Sequence, residues 1–370
     1  MRKKSLFSIL LIVFMAACID RVMLDFEIPA KFSIVVDGMI SDQPGPYTIE
    51  LTRGFDIESK SSFKEYVSVK RVVISDNTGN EEELSEVSRG IYRTNADGIR
   101  GVVGRVYKLR IELLDDRIYE SIPDSLMPAG EVERVYHQFV AEKTPEGQTT
   151  YGFDVFFDSN AKNLSSYRFL WKFVGTYQIE TNPEFFTRSC GESRCPAPLF
   201  CSSYVLGPNG LEWVKPCECC TCWVNFFNTL PLVSDNQFNQ TGRFIGVKAT
   251  RVPINQWTFM HKVHAEIQQM SLSRNAFAFW KAIRTQKEAA SNIFQPITGK
   301  IPSNFIQISG EKGPIEGLFF ATSIFKNSVY ISRNDISNQS IIPVQQMPFS
   351  DSCLKLFPFS TNIKPEYWEE

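Results

Sequence analysis

The sequence predicts a mainly β protein: an N-terminal immunoglobulin-like β-sandwich, then a larger β-rich domain with one main α-helix and a Cys-rich inserted loop. Three observations lead there. Between residues 32 and 122, short runs that alternate apolar and polar side chains are divided by regularly spaced turn signals, the pattern of strands buried on one face. Only one stretch, about residues 273–290, repeats its apolar side chains with a helical period. Seven cysteines crowd into residues 190–222, which sets that stretch apart from the strands around it.

Residues 1–17 read as an address. Arg2, Lys3 and Lys4 make a basic start, Leu6 to Phe14 form an apolar core broken only by Ser8, and Met15-Ala16-Ala17 precede Cys18. A basic start, a short apolar core and small residues before a cleavage point describe a secretory signal. The core is well short of the roughly 20 apolar residues that span a bilayer. With a cysteine directly after Ala16-Ala17, the segment resembles a bacterial lipoprotein signal. That resemblance implies that Cys18 is acylated and becomes the first mature residue, with residues 18–30 as a tether. Loss of the three basic residues leaves 36 Lys and Arg against 41 Asp and Glu, a net charge of −5 in place of −2. Such a balance excludes a strongly basic nucleic-acid binder, and an apolar content of 43% excludes a disordered chain.

Residues 31–124 supply the sandwich. Phe32 to Val36 is β-branched and apolar, and Asp37-Gly38 interrupts it. Tyr47, Ile49 and Leu51 alternate on one face. Val69 to Ser75 leads into the turn cluster from Asp76 to Asn80, and Glu81 to Val87 returns as a hairpin partner. Ile91-Tyr92 follows a turn. Tyr107, Leu109, Ile111 and Leu113 alternate with Lys108, Arg110 and Glu112, and Ile118 to Glu120 follows the Asp115-Asp116-Arg117 turn. About seven short strands with evenly spaced turns favour a sandwich. The Pro/Gly-rich stretch from Ile122 to Gly130 breaks the pattern and marks the boundary.

Residues 125–370 form the larger domain. Val132 to Val140, Tyr151 to Phe157, Tyr167 to Gln178 and Thr258 to Met270 read as strands, several of them rich in aromatics. Ala276, Phe277, Trp280 and Ile283 then share one face of a helix over about 273–290, which should pack onto a sheet. Ser271 or Ser273 can cap it, because a serine hydroxyl can accept from an orphan backbone N–H. Val329 to Ile331 and Ile341 to Val344 suggest late strands, and Pro358 to Glu370 reads as loop.

The Cys-rich insertion, residues 185–225, is the one feature with chemistry. Apart from Cys18 there are eight cysteines: Cys190, Cys195, Cys201, Cys217, Cys219, Cys220, Cys222 and Cys353. An even number in an exported chain favours disulfides. Two or three bridges between the segments 190–196 and 217–222 would staple an insertion with little core of its own. Cys353 should pair back to this loop. A thiolate metal site is the sharper alternative and redox activity a third, but the spacings fit zinc ribbons loosely, and no metal or cofactor is expected. Phe185, Phe186, Trp223, Phe226 and Phe227 lie near the cysteines and could form a binding surface, although core packing is the default for such residues.

Other catalytic constellations are thin. There are three histidines, His137, His261 and His264, and no nucleophile elbow, phosphate loop or His-Glu-x-x-His motif. Asp154 and Asp158 are four apart in a strand and read as a solvent-facing pair, not the carboxylates of a glycosidase.

Several spaced motifs carry a family resemblance. They are Val36 to Ile40, Gly45-Pro46-Tyr47, the run from Glu266 to Trp280, the run from Asn292 to Ile301, and Gly317 to Ser323. Together with the cysteine after the signal, they resemble the Bacteroidota family catalogued as domain of unknown function 4249. The resemblance implies an outer-membrane lipoprotein, often encoded beside a TonB-dependent transporter. It implies no activity and supplies no functional residues. Asp20, Asp25 and Glu27 resemble the acidic surface-export signals of some such lipoproteins. The expected function is therefore a non-enzymatic lipoprotein, anchored to the outer membrane by Cys18, which is an accessory or substrate-capturing partner of a TonB-dependent transporter. The alternative is a structural or adhesion envelope protein that uses the sandwich as a spacer.

Overall fold

The computed structural model describes residues 33–54, 64–162, 164–234, 241–290, 301–336, 341 and 349–369. Residues 1–17, Cys18 and the tether, most of the Asn292 to Ile301 motif, and the expected strand from Ile341 to Val344 beyond its first residue lie outside the described residues. The N-terminal strands are β1 (Ile34–Ser41), β2 (Thr48–Arg53), β3 (Arg71–Asp76), β4 (Glu81–Glu83), β5 (Ser85–Ser88), β6 (Ile91–Arg93), β7 (Val106–Glu112), β8 (Ile118–Ser121) and β9 (Asp124–Ser125). There follow β10 (Glu131–Lys143), β11 (Thr149–Asn160), β12 (Phe169–Glu180), β13 (Thr187–Cys190), β14 (Ser193–Pro196), β15 (Tyr204–Gly207), β16 (Gly210–Trp213), β17 (Thr221–Phe227), β18 (Leu232–Val233), β19 (Arg243–Pro253) and β20 (Lys262–Ser271). Helix α1 (Arg274–Ala290) precedes β21 (Phe305–Ser309), β22 (Ile315–Thr322) and β23 (Ile324–Ser332), and the chain ends on the single-turn α2 (Cys353–Leu356) and β24 (Ser360–Thr361).

The first sandwich faces a sheet of order β22-β1-β2-β6-β5 against one of order β21-β8-β7-β3-β4, with β9 paired to β7. Alternation sends Ile34, Val36, Ile49 and Leu51 from one sheet, and Ile74, Tyr107, Leu109 and Ile111 from the other, into one core. The sequence assigns the sandwich to residues 31–124, but strands from beyond them belong to both of its sheets. Strand β22 pairs in parallel with β1 along its whole length, from Ile34↔Ile315 to Ser41↔Thr322, and β21 pairs with β8. The late strands supply Phe305, Phe319 and Ala321 to the core and cover a β1 edge whose N–H and C=O groups would otherwise be unpaired.

Two local readings also change. Asp37-Gly38 does not interrupt β1, because the side chain of Ile49 on β2 occupies the space a Cβ at Gly38 would fill, 2.3 Å away. Glu81 to Val87 is not one strand: the chain crosses at the buried Leu84, so β4 pairs with β3 in one sheet and β5 with β6 in the other.

The second sandwich packs the three-stranded sheet β10-β11-β19 on the larger sheet β23-β20-β12-β17-β24. Phe153, Val155 and Phe157 meet Phe169, Trp171, Phe173, Val263 and Ile267 across the interface. A buried Gln269 ties the layers together. Its Oε1 accepts from Trp171 Nε1 at 2.6 Å and Ser159 Oγ at 2.5 Å, and its amide donates to the Ala129 carbonyl at 2.5 Å. These bonds satisfy a polar group that would otherwise be costly to bury. Helix α1 starts as expected, with Ser273 Oγ accepting from Ala276 N–H at 3.2 Å. Its apolar stripe packs on the opposite face of the larger sheet, against Leu170 and Met270, and also on Leu272 just past β20 and on Phe320 of β22 in the first sandwich. The expected Thr258 to Met270 strand begins only at Lys262, after a turn.

Candidate functional site

The chain leaves the larger sheet at the end of β12 and re-enters it at β17. Between them, two hairpins, β13–β14 and β15–β16, and short 3-10 turns at Pro183–Phe185 and Phe200–Ser202 form a projecting module. Of its apolar side chains, only Pro183 and Cys219 are buried. An isolated hairpin is marginal in water, so something other than a core must hold this one.

Disulfides hold it. All eight candidate cysteines are paired: Cys190–Cys195, Cys201–Cys219, Cys217–Cys220 and Cys222–Cys353. Cys353 does pair back to the insertion, as expected. The expected bridges between the segments 190–196 and 217–222 do not form. Cys190 and Cys195 face each other across the short β13–β14 hairpin, with Cα atoms 5.9 Å apart, and Cys217 and Cys220 close a single turn. Cys201–Cys219 joins the chain entering the β15–β16 hairpin to the chain leaving it. No group of three or more His, Cys, Asp or Glu that could hold a metal occurs among the described residues.

The five aromatics near the cysteines do not make one surface. Residues of β17 alternate, so Cys222, Val224 and Phe226 face the second core while Trp223 and Phe227 face away. Phe226 lies over Gly175, against Phe173 at 5.4 Å and Tyr177 at 5.9 Å. Trp223 is buried under the C-terminal segment, Phe186 is half-buried, and only Phe185 and Phe227 are exposed.

A different apolar surface stands on the β15–β16 hairpin. Its register pairs Tyr204 with Trp213 and Leu206 with Leu211, and residues two apart share a face, so these four form one patch. Trp213 is 62% exposed and Leu206 55%, and the neighbouring Phe200 is 90% exposed. Sequence reasoning missed this patch. Its signal was Gly207-Pro208-Asn209-Gly210 between the alternating Tyr204/Leu206 and Leu211/Trp213, a turn-flanked hairpin pattern overshadowed by the cysteines.

The remaining candidates are structural in their surroundings. His261 Nε2 lies 3.0 Å from Glu180 Oε1, and His137 Nε2 lies 3.7 Å from Asp335 Oδ2. His264 is buried between Tyr330 and Tyr367, its ring 4.3 Å from that of Tyr367. Burial holds its pKa below the ordinary histidine value. Asp154 and Asp158 lie on the outer face of β11, as alternation requires, but they are buried, not solvent-facing. Lys248 and Arg251 from β19 cover Asp154 at 2.6 and 2.8 Å, and Arg134 from β10 covers Asp158 at 2.5 Å. Burial alone would raise both carboxyls, but these cations and the Gly246 N–H on Asp158 outweigh it and hold both below the usual range. Two carboxyls that are both pushed down by paired cations are not set apart as an acid and a base.

No curated protein and no solved structure matches the chain. A family model described as Domain of unknown function (DUF4249) matches residues 23–353, a span that includes every strand of both sandwiches except β24 and every bridged cysteine. The chain therefore belongs to the DUF4249 family.

Proposed function

We propose that the protein is a non-enzymatic lipoprotein of the outer membrane, anchored through acylated Cys18, that serves as an accessory or substrate-capturing subunit of a TonB-dependent transporter. One observation carries the docking role: the stapled module presents the apolar face Tyr204/Leu206/Leu211/Trp213 on a hairpin held at its base by Cys201–Cys219 and Cys217–Cys220, with the exposed Phe200 in the turn that leads into it. Aromatic anchors dominate protein interfaces, and a covalently held hairpin loses little further entropy when it docks.

The test is purification of the full-length protein from outer membranes. A β-barrel transporter should co-purify with it, and a Phe200→Ser/Trp213→Ser variant should retain less than a tenth of that partner. Purification as a lone monomer, or full retention by the variant, would refute the proposal. Cys18→Ser should leave the membrane fraction, and unchanged fractionation would remove the anchor.

A further inference from the structure

The two sandwiches meet outer face to outer face, and alternation along the strands shows what meets. On β1, Ile34, Val36 and Ile40 point into the first core, so Val35, Asp37 and Met39 point out of it. On β12, Phe169, Trp171 and Phe173 point into the second core, so Leu170, Lys172 and Val174 point out. The junction begins apolar: Met39 and its β22 neighbour Phe320 pack in one cluster with Leu170 and its β20 neighbour Met270. Two residues further along, the same strands present Asp37 from β1 and Lys172 from β12, and each lies within the electrostatic field of the other.

These two charges face each other without touching. They stand more than 4.0 Å apart, and among the described residues neither side chain has a hydrogen-bond or ion-pair partner. Burial holds the Lys172 amine below its ordinary range, and burial together with the Glu50 carboxylate raises Asp37. Each has lost part of its water without gaining the direct contact that would offset the loss. The junction holds another orphaned donor: the indole N–H of Trp280 on α1 is buried without an acceptor, its ring 6.3 Å from that of Phe320. Asp37 is exposed and Lys172 half-buried, so solvent reaches the gap from the Asp37 side. Val35, Met39 and Val174 beside them are also half-buried, which leaves apolar surface next to the two charges.

A ligand that completes this arrangement carries the opposite pair of charges, a carboxylate for Lys172 and an ammonium for Asp37. A plain anion or a plain cation would match one group and leave the other unpaired. Small-ligand sites form preferentially between domains, on mostly apolar surface with a few placed polar groups, and this junction has that composition. We propose that it binds a free α-amino acid with an apolar side chain, the carboxylate on Lys172, the ammonium on Asp37 and the side chain against Val35, Met39 and Val174. The site needs only the junction of the sandwiches and not the docking role of the β15–β16 hairpin, so either reading can fail without the other.

The full-length protein in detergent is titrated calorimetrically with L-leucine, L-methionine and L-phenylalanine, and with the N-acetyl and the amide derivative of each, which lack the ammonium and the carboxylate respectively. At least one amino acid should bind saturably, and both of its derivatives at least about tenfold more weakly, the loss expected for one charge-assisted contact. Lys172→Met should weaken that amino acid at least about tenfold. Its melting temperature should be unchanged or raised, because the substitution removes an unpaired charge from the junction. Asp37→Asn should weaken binding likewise, and Lys143→Gln, on β10 in the opposite layer of the second sandwich, should not. Absence of saturable binding by all three amino acids, equal binding of either derivative, or equal effects of Lys172→Met and Lys143→Gln would overturn the assignment.

Discussion

The Cys222–Cys353 bridge should be the largest single covalent contribution to stability. The expected magnitude follows from loop closure. A cross-link removes entropy from the unfolded chain in proportion to the logarithm of the loop it closes. For a separation of 131 residues this corresponds to about 5 kcal/mol. For Cys201–Cys219, at 18 residues, it is about 3 kcal/mol, and for the two short bridges, at 5 and 3 residues, about 2 kcal/mol each. A domain's whole net stability is roughly 5–15 kcal/mol, so the long bridge is decisive and the short ones are not. Cys222→Ala/Cys353→Ala should be compared with Cys190→Ala/Cys195→Ala by guanidinium unfolding without reductant, followed by tryptophan fluorescence. The first should lose at least about twice the free energy of the second. Equal losses, or a loss below about 1 kcal/mol for the long bridge, would refute the entropic account and show that the native packing of α2 and β24 holds the C-terminal segment without it.

Two buried groups should give stability pH dependences of opposite sign. Burial pushes the Asp124 carboxyl up to about 6, partly offset by hydrogen bonds from Ser273 and the Ala321 N–H. Its contribution is thus complete below about pH 4 and lost as pH rises through about 6, up to roughly 3 kcal/mol in all. Asp124→Asn should flatten urea stability across that window and raise it at pH 7.5. His264 works in reverse. Its folded pKa is depressed by burial, against Glu266 and Glu369, so stability is present above the ordinary histidine value and lost as pH falls through the folded one. Hydrogen-exchange protection factors in residues 362–369, corrected for the intrinsic pH dependence of exchange, should therefore fall at pH 5 relative to pH 7.5, and His264→Phe should abolish the difference. The parallel β1–β22 seam offers a steric test. Gly317 has φ +102°, and a Cβ there would lie 1.9 Å from the Val36 carbonyl oxygen, whereas Gly79 at φ +91° has open space. Thermal unfolding should show Gly79→Ala losing about 1 kcal/mol and Gly317→Ala markedly more.

Local periodicity made most strands and the main helix legible, because alternation and the helical repeat are imposed by burial of one face. Pairing across the chain was not. Nothing near Val36 points to Gly317, and nothing near Ile118 points to Ser309, because neighbours in a sheet leave no mark in the intervening sequence. The switch of sheets at Leu84 was hidden for a related reason: a strand that changes partners keeps its alternation. The carboxylates of β11 were placed on the correct face, but their cover comes from Arg134, Lys248 and Arg251, on strands up to 97 residues away. For the cysteines, the number and compartment argued for bridges, while eight cysteines permit 105 pairings. Only the local geometry, a hairpin at Cys190 and a single turn at Cys217, decided that these two pair locally.

Apolar burial and covalent cross-linking divide the molecule between them. The two sandwiches are held by large apolar cores and by a junction in which the Asp42 carboxylate accepts from Ser323 Oγ at 2.5 Å and Ile324 N–H at 3.0 Å. None of the bridges lies in the first sandwich. They lie where the chain departs from a sheet and has no core to return to: the excursion between β12 and β17, and the C-terminal segment after β23. The surface to which we propose a docking role, the apolar hairpin, is on one of those departures. A surface that must stay open cannot also be buried to gain stability, so its rigidity has to come from restricting the unfolded chain. On the proposed docking role, the concentration of cysteines in one short stretch marks the surface where burial would conflict with that role.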